Sequence, residues 1–173
     1  RAAGRGARVH SITLSVEQRE LALERVREAG LEDLITIELC DYRDVQGQYD
    51  AVLSVEMIEA VGYRYWPDYF ATLDRHLLPG GKVGLQAITM PHDRMEASRD
   101  TFTWIHKYIF PGGIIPSVTA IEQMAFQHTA LRVPDRFPVG QHSPKTLRRC
   151  PRPLAAQGQR GAAPRLDAPS RTP

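Results

Sequence analysis

Residues 49–62, YDAVLSVEMIEAVG, decide the fold class. The first half, Tyr49–Val55, is almost continuously apolar, which is typical of a strand covered on both faces in a parallel sheet. The second half places Glu59 in a predicted first helical turn, where the helix dipole favours a carboxylate. A buried parallel strand predicts further strands and crossover helices on either side of it in the chain.

Upstream of this stretch, the sequence predicts a strand, a helix and a second strand. The first strand spans Arg8–Leu14, and Ser15 with Gln18 three residues later has the spacing of a capping box. The helix ends at Gly30. Leu34–Leu39 is rich in β-branched residues and predicts the next strand.

Downstream, we predict a helix from about Trp66 to Leu78, ended by Pro79-Gly80-Gly81, and a strand from Lys82 to Met90. With a short helix between the second and third strands, this succession predicts an α/β fold with a doubly wound, mostly parallel sheet. Ligands of such sheets bind beyond the carboxyl ends of the strands. The segments at those ends are Thr13–Gln18, Asp41–Arg43, Val55–Glu59 and Gln86–Thr89.

Beyond Met90 the sequence pattern becomes helical again. Asp100–Tyr108 predicts a helix that leads into a turn at Phe110-Pro111-Gly112-Gly113. We expect residues 91–126 to form a lid over the mouth of the site.

Composition and charge set the class of protein. The chain has 173 residues, of which 42% are apolar and 24% charged, and this is enough for one domain with a core. Its apolar runs fall short of the roughly 18 residues that span a bilayer. The net charge of +2 divides into −4 over residues 1–133 and +6 over residues 134–173. The acidic balance of the first part argues against nucleic acid as its partner.

The domain organisation follows the same division. We predict a partial domain over residues 1–133, a remnant over 134–149 and a disordered tail over 150–173. The last 40 residues hold eight of the 13 prolines, and from Pro151 onward there is no apolar periodicity. We expect residues 150–173 to be non-native sequence that limited proteolysis removes.

The sequence lacks paired cysteines and the common glycine-rich nucleotide-binding motifs. Cys40 and Cys150 form no CxxC pair, which argues against a disulfide framework or a thiolate zinc site and favours a reducing, cytosolic compartment. The sequence has no GxGxxG and no GxxxxGK[ST] motif. We therefore expect that the chain is truncated and that its sheet is incomplete at the N-terminal side. We also expect this chain to bind a nucleotide cofactor weakly or not at all.

Four segments, in order and at a fixed spacing, resemble one family. They are GARVHSITLSVEQ (6–18), CDYRDVQGQYDAVLSVEMIEAVG (40–62), YWPDYFATLDRHLLPGGKVGLQAIT (65–89) and YIFPGGIIPS (108–117). From Gly6 to about Ala125 the chain is thus similar to the cyclopropane-fatty-acyl-phospholipid synthase (mycolic acid cyclopropane synthase) family of S-adenosylmethionine (SAM)-dependent methyltransferases.

This resemblance implies a Rossmann-like class I methyltransferase fold and a lipid-modifying reaction. The implied substrate is the cis double bond of an unsaturated phospholipid acyl chain, which becomes a cyclopropane or a methyl-branched chain. The implied cofactors are SAM and bicarbonate. The implied location is cytoplasmic, with peripheral contact at the inner membrane surface. The sequence does not choose between the two products.

The resemblance also implies roles for individual residues. The cofactor-binding candidates are Thr13, Leu14, Gln18, Asp41, Tyr42 and Val55. The catalytic candidates are Glu59, Gln86 and Tyr108, with Glu59 holding the bicarbonate that takes a proton. Glu56 is interpreted as a flanking residue. For Thr13 to Gln18 an ordinary helix cap is the competing interpretation, and for Asp41 and Tyr42 it is a polar turn.

Aromatic side chains are candidates for an acyl tunnel, because their π-faces stabilise a nearby cation. They are Tyr63, Tyr65, Trp66, Tyr69, Trp104, Tyr108 and Phe110, with Tyr65 and Tyr108 ranked first. For most of them, packing in the core is the competing interpretation. The histidines at positions 76, 92, 106 and 128 have no spacing that predicts a metal site.

The chain departs from the family pattern at three positions. Gln86 stands where many members have a histidine, and an amide donates a hydrogen bond but does not titrate. Ser143 stands at the position of a tyrosine, and Cys150 at that of a tryptophan. Cys40 does not match the catalytic cysteine of the family, which would precede Arg1.

Two other functions remain open from the sequence. One is a class I methyltransferase that acts on a small molecule, since one fold hosts many acceptors. The other is an inactive fragment or binding module of the family.

Overall fold

The computed structural model describes residues 1–99, 101 and 112–140. The chain divides into two units, Arg1–Val133 and Pro134–Pro173. In the second unit the structure describes residues 134–140, which contain neither an α-helix nor a strand.

Strands and helices alternate along the first unit. The strands are β1 (Val9–Thr13), β2 (Ile35–Leu39), β3 (Tyr49–Val55) and β4 (Leu77–Gln86). The α-helices are α1 (Val16–Glu28), α2 (Ile58–Val61), α3 (Trp66–Arg75), α4 (His92–Arg99) and α5 (Val118–His128). Short 3₁₀ turns occupy Ala3–Arg5 and Tyr63–Tyr65.

Local chemistry fixes both ends of α1 as predicted. The Ser15 hydroxyl accepts a hydrogen bond from the Gln18 N–H (3.1 Å). At the other end Gly30 takes φ = +62°, its N–H donates to Arg27 O (3.0 Å), and the Leu31 N–H donates to Val26 O (3.1 Å). This pair of bonds is a Schellman motif, which favours glycine at its left-handed position.

Replacing Ser15 with alanine removes the cap of α1. We expect the free energy of unfolding to fall by about 1 kcal/mol, because the Gln18 N–H loses its acceptor. Urea unfolding followed by circular dichroism measures the change. Ser15→Asp keeps an acceptor and is expected to retain wild-type stability, whereas equal losses in both variants would contradict a capping role.

The strands pair in parallel, as predicted, but as two separate pairs in the described residues. β1 pairs with β2, and β3 pairs with β4. A side-chain contact joins the two pairs: His10 of β1 hydrogen-bonds to the Tyr49 hydroxyl of β3. His10 also contacts Glu38 of β2 (2.9 Å).

The boundary between α3 and β4 differs from the prediction. The helix ends at Arg75 and the strand spans Leu77–Gln86, so that Pro79-Gly80-Gly81 lies inside the strand and the strand stops before Met90. The ladder passes from Tyr49↔Leu77 to Ala51↔Lys82, and the extra residues of β4 bulge between these pairs. Gly80 there has φ = +81°, and a Cβ on Gly81 would lie 2.9 Å from Leu78 O.

The predicted short helix between β2 and β3 was wrong for a local reason. The segment turns instead, with the Asp44 N–H donating to Asp41 O (3.0 Å). The Asp41 carboxylate accepts the Arg43 N–H (2.9 Å), and such side-chain bonds compete with helix formation.

β3 was predicted to be covered on both faces, and in the described part of the chain this is wrong. Its Ser54 is buried, whereas Leu53 and Val55 on the opposite face are 76% and 63% exposed. The helices α3 and α5 pack together on one side, and no described element covers the other.

The core lies between β3, β4 and the helices that follow them. Its fully or nearly buried members are Ile58, Trp66, Tyr69, Phe70, Leu73, Met95, Ile114, Ala120 and Ala125. Within the described residues, no helix is long and apolar enough to cross a bilayer.

The expected lid falls partly within the described residues. The helices α4 and α5 lie in it, and Ser117 joins them, since its N–H donates to Met95 Sδ (3.3 Å) and its hydroxyl contacts His92 Nδ1 (2.7 Å). Of the helix predicted over Asp100–Tyr108, the structure describes only Thr101, which is not helical. The covering role of the segment stays a prediction.

Candidate functional site

The residues after β1 satisfy one another's polar groups. The Thr13 hydroxyl donates to Gln18 Oε1 (2.7 Å) and accepts the Ser15 N–H (3.1 Å). Leu14 between them is 73% exposed. The structure therefore brings together the three predicted cofactor residues of this turn, and it leaves an apolar side chain facing solvent at the strand end.

Asp41 follows β2 and is held as a carboxylate by Arg43. The guanidinium donates to both carboxylate oxygens through Nε (2.9 Å) and Nη2 (2.7 Å). These bonds, together with the Arg43 N–H, lower the pKa of Asp41 to about 2. Asp41 is therefore ionised at neutral pH.

Tyr42 turns toward the core. Its ring lies edge-on to the buried Tyr69 ring, with 5.8 Å between centroids, and it packs against the core cluster. Desolvation raises the pKa of its hydroxyl. Of the two predicted residues after β2, Asp41 is thus the one with a charged group at the strand end.

Glu59 is a carboxylate of which one oxygen is hydrogen-bonded and the other is buried without a partner among the described residues. Its Oε1 accepts the Ile88 N–H just beyond β4 (2.6 Å), and its backbone oxygen accepts the Ile114 N–H (2.9 Å). Its Oε2 is buried and has no hydrogen-bond partner among the described residues. A buried oxygen without a donor is costly, and it is typical of a site that a ligand or water completes.

Gln86 lies at the end of β4 and contacts Glu56. Its Nε2 donates to Glu56 Oε1 (3.3 Å), and its backbone oxygen accepts the Glu56 N–H (2.8 Å). The structure therefore brings the carboxyl ends of β3 and β4 together through Glu56, Glu59 and Gln86. Val55, the predicted cofactor residue before Glu56, lies on the exposed face.

The interpretation of Glu56 as a flanking residue missed these contacts. The backbone of Glu56 has φ = +49°, the only positive value outside glycine among the described residues. Left-handed backbone at a glutamate has no sequence signature, and it concentrates at functional sites.

Most described aromatic candidates belong to the core. Trp66 is fully buried and its indole N–H donates to Ile58 O (3.1 Å), while Tyr69 is buried beneath Ser54. Tyr65 is 44% exposed and lies under the Arg64 guanidinium, 5.0 Å from the ring centroid. Trp104, Tyr108 and Phe110 lie outside the described residues, so their predicted roles stay predictions.

Tyr69 provides a test of this burial. Desolvation raises its pKa to about 12, although the Ser54 hydroxyl partly opposes the shift by accepting its hydrogen bond (2.6 Å). Tyrosine ionisation is followed by absorbance in the folded wild type and in Tyr69→Phe. We expect the difference between the two titration curves to show one hydroxyl that ionises near pH 12.

The same shift makes stability depend on pH. An unfolded tyrosine ionises near pH 10, whereas the buried Tyr69 hydroxyl stays protonated up to about pH 12. Ionisation therefore favours the unfolded state between these values, and the free energy of unfolding falls as the pH rises from about 10 toward 12. A difference titration centred near pH 10 would show that the hydroxyl is hydrated and would contradict the buried position.

The described residues contain no group of His, Cys, Asp and Glu side chains that could hold a metal ion. His76 binds Gly47 O through Nδ1 (2.7 Å), and His92 binds Ser117, so these two have structural contacts. His106 lies outside the described residues.

Comparison with known proteins identifies the family. Residues 1–164 match the mycolic acid cyclopropane synthetase family. The chain belongs to this family. The family comprises SAM-dependent, lipid-modifying methyltransferases, as the resemblance of the four segments implied.

Two curated relatives show how much of the chain is shared. Tuberculostearic acid methyltransferase UfaA1 of Mycobacterium tuberculosis is 60% identical over 148 residues, which are 86% of this chain and 35% of UfaA1. Cyclopropane-fatty-acyl-phospholipid synthase of Escherichia coli (strain K12) is 41% identical over 120 residues, 69% of this chain and 29% of that enzyme. The chain therefore spans about a third of the length of these relatives.

A solved structure confirms the class I methyltransferase fold. Mycolic acid cyclopropane synthase CmaA1, complexed with SAH and CTAB, superposes with a TM-score of 0.76 at 23% identity. The superposition covers 93% of this chain and 59% of CmaA1.

Proposed function

We propose that this chain carries the Glu59 side of an active site that transfers the SAM methyl group to the cis double bond of an unsaturated phospholipid acyl chain. The product is a cyclopropane when the proton leaves the new methyl group, or a methyl-branched alkene when it leaves the chain. The observation that supports this most is the Glu59 carboxylate, with one oxygen fixed by Ile88 and the other buried without a donor. The match to UfaA1 and to the E. coli synthase supports a lipid substrate.

The reaction needs a base at this position. SAM supplies a methyl group on a positively charged sulfur. Transfer of this methyl group to an alkene breaks the carbon–sulfur bond, releases a neutral thioether and leaves the positive charge on the neighbouring carbon of the chain. A proton must then leave, and a base held within hydrogen-bond reach removes it. Glu59 acts by holding and orienting that base.

Bicarbonate fits the donor set around Glu59. Its O–H group can donate to Glu59 Oε2, which has no other donor in the described residues. Its anionic oxygens can accept an amide hydrogen of Gln86, whose Nε2 carries two hydrogens and gives one to Glu56.

The cofactor side of the site would be formed by the ends of β1, β2 and β3. Exposed Leu14 and Val55 provide apolar surface for a flat adenine ring. The Asp41 carboxylate, kept ionised by Arg43, can accept hydrogen bonds from a nucleoside. The Thr13 hydroxyl and the Gln18 amide are the remaining polar groups of this side.

Because acyl chains lie in bilayers, the proposal includes peripheral contact with the inner membrane surface.

The test uses a chimera, because this chain spans about a third of UfaA1. The matching 148-residue segment of UfaA1 is replaced by that of this chain. The chimera is expressed in bacteria that lack such an enzyme, and their fatty acids are analysed by mass spectrometry. We expect cyclopropane or methyl-branched acyl chains derived from the unsaturated ones.

Unmodified lipids would contradict the proposed function, provided that native UfaA1 in the same host modifies them. Methyl transfer to a soluble acceptor, with unmodified lipids, would favour the small-molecule methyltransferase that the sequence left open.

A further inference from the structure

Glu56 occupies a backbone conformation that favours glycine. It directly follows β3, and its φ of +49° is the one left-handed value at a non-glycine residue among those described. A side chain raises the free energy of this conformation, so the surrounding contacts must hold it there.

Among the described residues, both hydrogen bonds of Glu56 are made with Gln86. The Glu56 N–H donates to the Gln86 backbone oxygen (2.8 Å), and its Oε1 accepts from Gln86 Nε2 (3.3 Å). The backbone bond would be made by any residue at position 56, including glycine. The side-chain bond requires the carboxylate.

That carboxylate selects the orientation of an amide. A glutamine amide presents either its oxygen or its nitrogen to a neighbour, but a carboxylate only accepts hydrogen bonds. Glu56 therefore faces the nitrogen of Gln86, and the second hydrogen of this NH₂ group remains for a ligand. Without Glu56 the amide is free to turn its oxygen toward an anion and repel it.

We infer that Glu56 is a positioning residue, which fixes the Gln86 amide so that its nitrogen donates to the anion held by Glu59. This inference rests on the proposed function. Both Glu56 and Gln86 are exposed, so water and salt screen the repulsion between the Glu56 carboxylate and the bound anion. Gln86 then supplies a donor that does not depend on pH.

The experiment titrates the full 173-residue chain with bicarbonate and follows the side-chain NH₂ signals of Gln86 by nuclear magnetic resonance. We expect these signals to shift on binding in the wild type. Glu56→Gln, which can face the amide in either orientation, is expected to weaken bicarbonate binding about fivefold, the effect of one hydrogen bond. Glu56→Gly is expected to weaken it equally while raising thermal stability, because it relieves the backbone.

Two controls separate this role from others. Glu24→Gln removes an exposed charge on α1 and is expected to bind bicarbonate like the wild type. Glu56→Asp keeps a carboxylate and is expected to recover part of the affinity.

The outcomes distinguish the inference from the function on which it rests. If the wild type shows no bicarbonate-dependent shift of Gln86, the proposed anion site fails and the inference fails with it. If the wild type binds but Glu56→Gln and Glu56→Gly bind equally well, only the positioning role is overturned.

Discussion

Glu59→Gln lowers turnover of the chimera by about two orders of magnitude or more, the effect of losing an oriented general base. The substituted amide keeps an oxygen for the Ile88 N–H, so the local backbone is preserved. Its nitrogen, however, replaces the buried Oε2 acceptor with a donor, which opposes the O–H group of bicarbonate. SAM affinity, measured by calorimetry, is expected to stay close to that of the wild type.

Two outcomes would contradict this account of Glu59. An equal loss of SAM affinity and turnover would place Glu59 in the cofactor site. Unchanged turnover would show that Glu59, at the start of α2, has only a structural role, through its hydrogen bond with the Ile88 N–H. Glu24→Gln on the exposed side of α1 is the matched control, and we expect it to retain full turnover.

Trp66→Ala has the largest expected effect on stability. The indole is fully buried in the core, packs on the Tyr63 ring with 4.9 Å between centroids, and donates to Ile58 O. We expect the free energy of unfolding to fall by about 3–5 kcal/mol, from the cavity left by a large buried side chain. Urea unfolding followed by circular dichroism measures it without relying on tryptophan fluorescence.

Tyr65→Ala is the neighbouring control. Tyr65 is about half-exposed and stacks under Arg64 at the surface, so we expect its loss to change the free energy of unfolding by less than about 1 kcal/mol. Similar losses in the two variants would contradict the placement of Trp66 in the core.

The parts of the fold that local chemistry determines could be predicted from the sequence. Ser15 and Gly30 mark the ends of α1 because each makes its bonds within a few residues of itself. The strand cores followed from β-branched runs for the same reason. Pro79-Gly80-Gly81 was misassigned because its bulge is set by pairing with Tyr49 and Ala51, about 30 residues away in the chain.

Burial of β3 was overestimated for a related reason. An apolar run predicts that a strand is buried, but which face is covered depends on elements elsewhere in the chain. Val55 and Leu53 are as apolar as Val52, yet only Val52 packs against the core cluster.

In the candidate site, too, the sequence predicted the residues that match a motif and missed those whose contacts come from distant parts of the chain. Glu59 and Gln86 were named through the resemblance, and the structure places Gln86 at the end of β4 and Glu59 in α2, shortly after the end of β3. Glu56 was missed because its role depends on a left-handed backbone and on a contact with a residue 30 positions later. The ion pair of Asp41 with Arg43 likewise has no signature beyond two nearby charges.

The most direct measurement gives the chimera SAM with a deuterated methyl group and vesicles of an unsaturated phospholipid, with a saturated phospholipid as the control. The proposed reaction forms a carbon–carbon bond to the methyl group, after which the base that Glu59 holds removes a deuteron from that methyl group (ring closure) or a proton from the chain (methyl branch). We predict that mass spectrometry finds label in the unsaturated acyl chain, with two deuterons in a cyclopropane or three in a methyl branch, none in the saturated chain, and almost no product with Glu59→Gln. Label in the saturated lipid, or label transfer at wild-type rate in Glu59→Gln, would contradict the account.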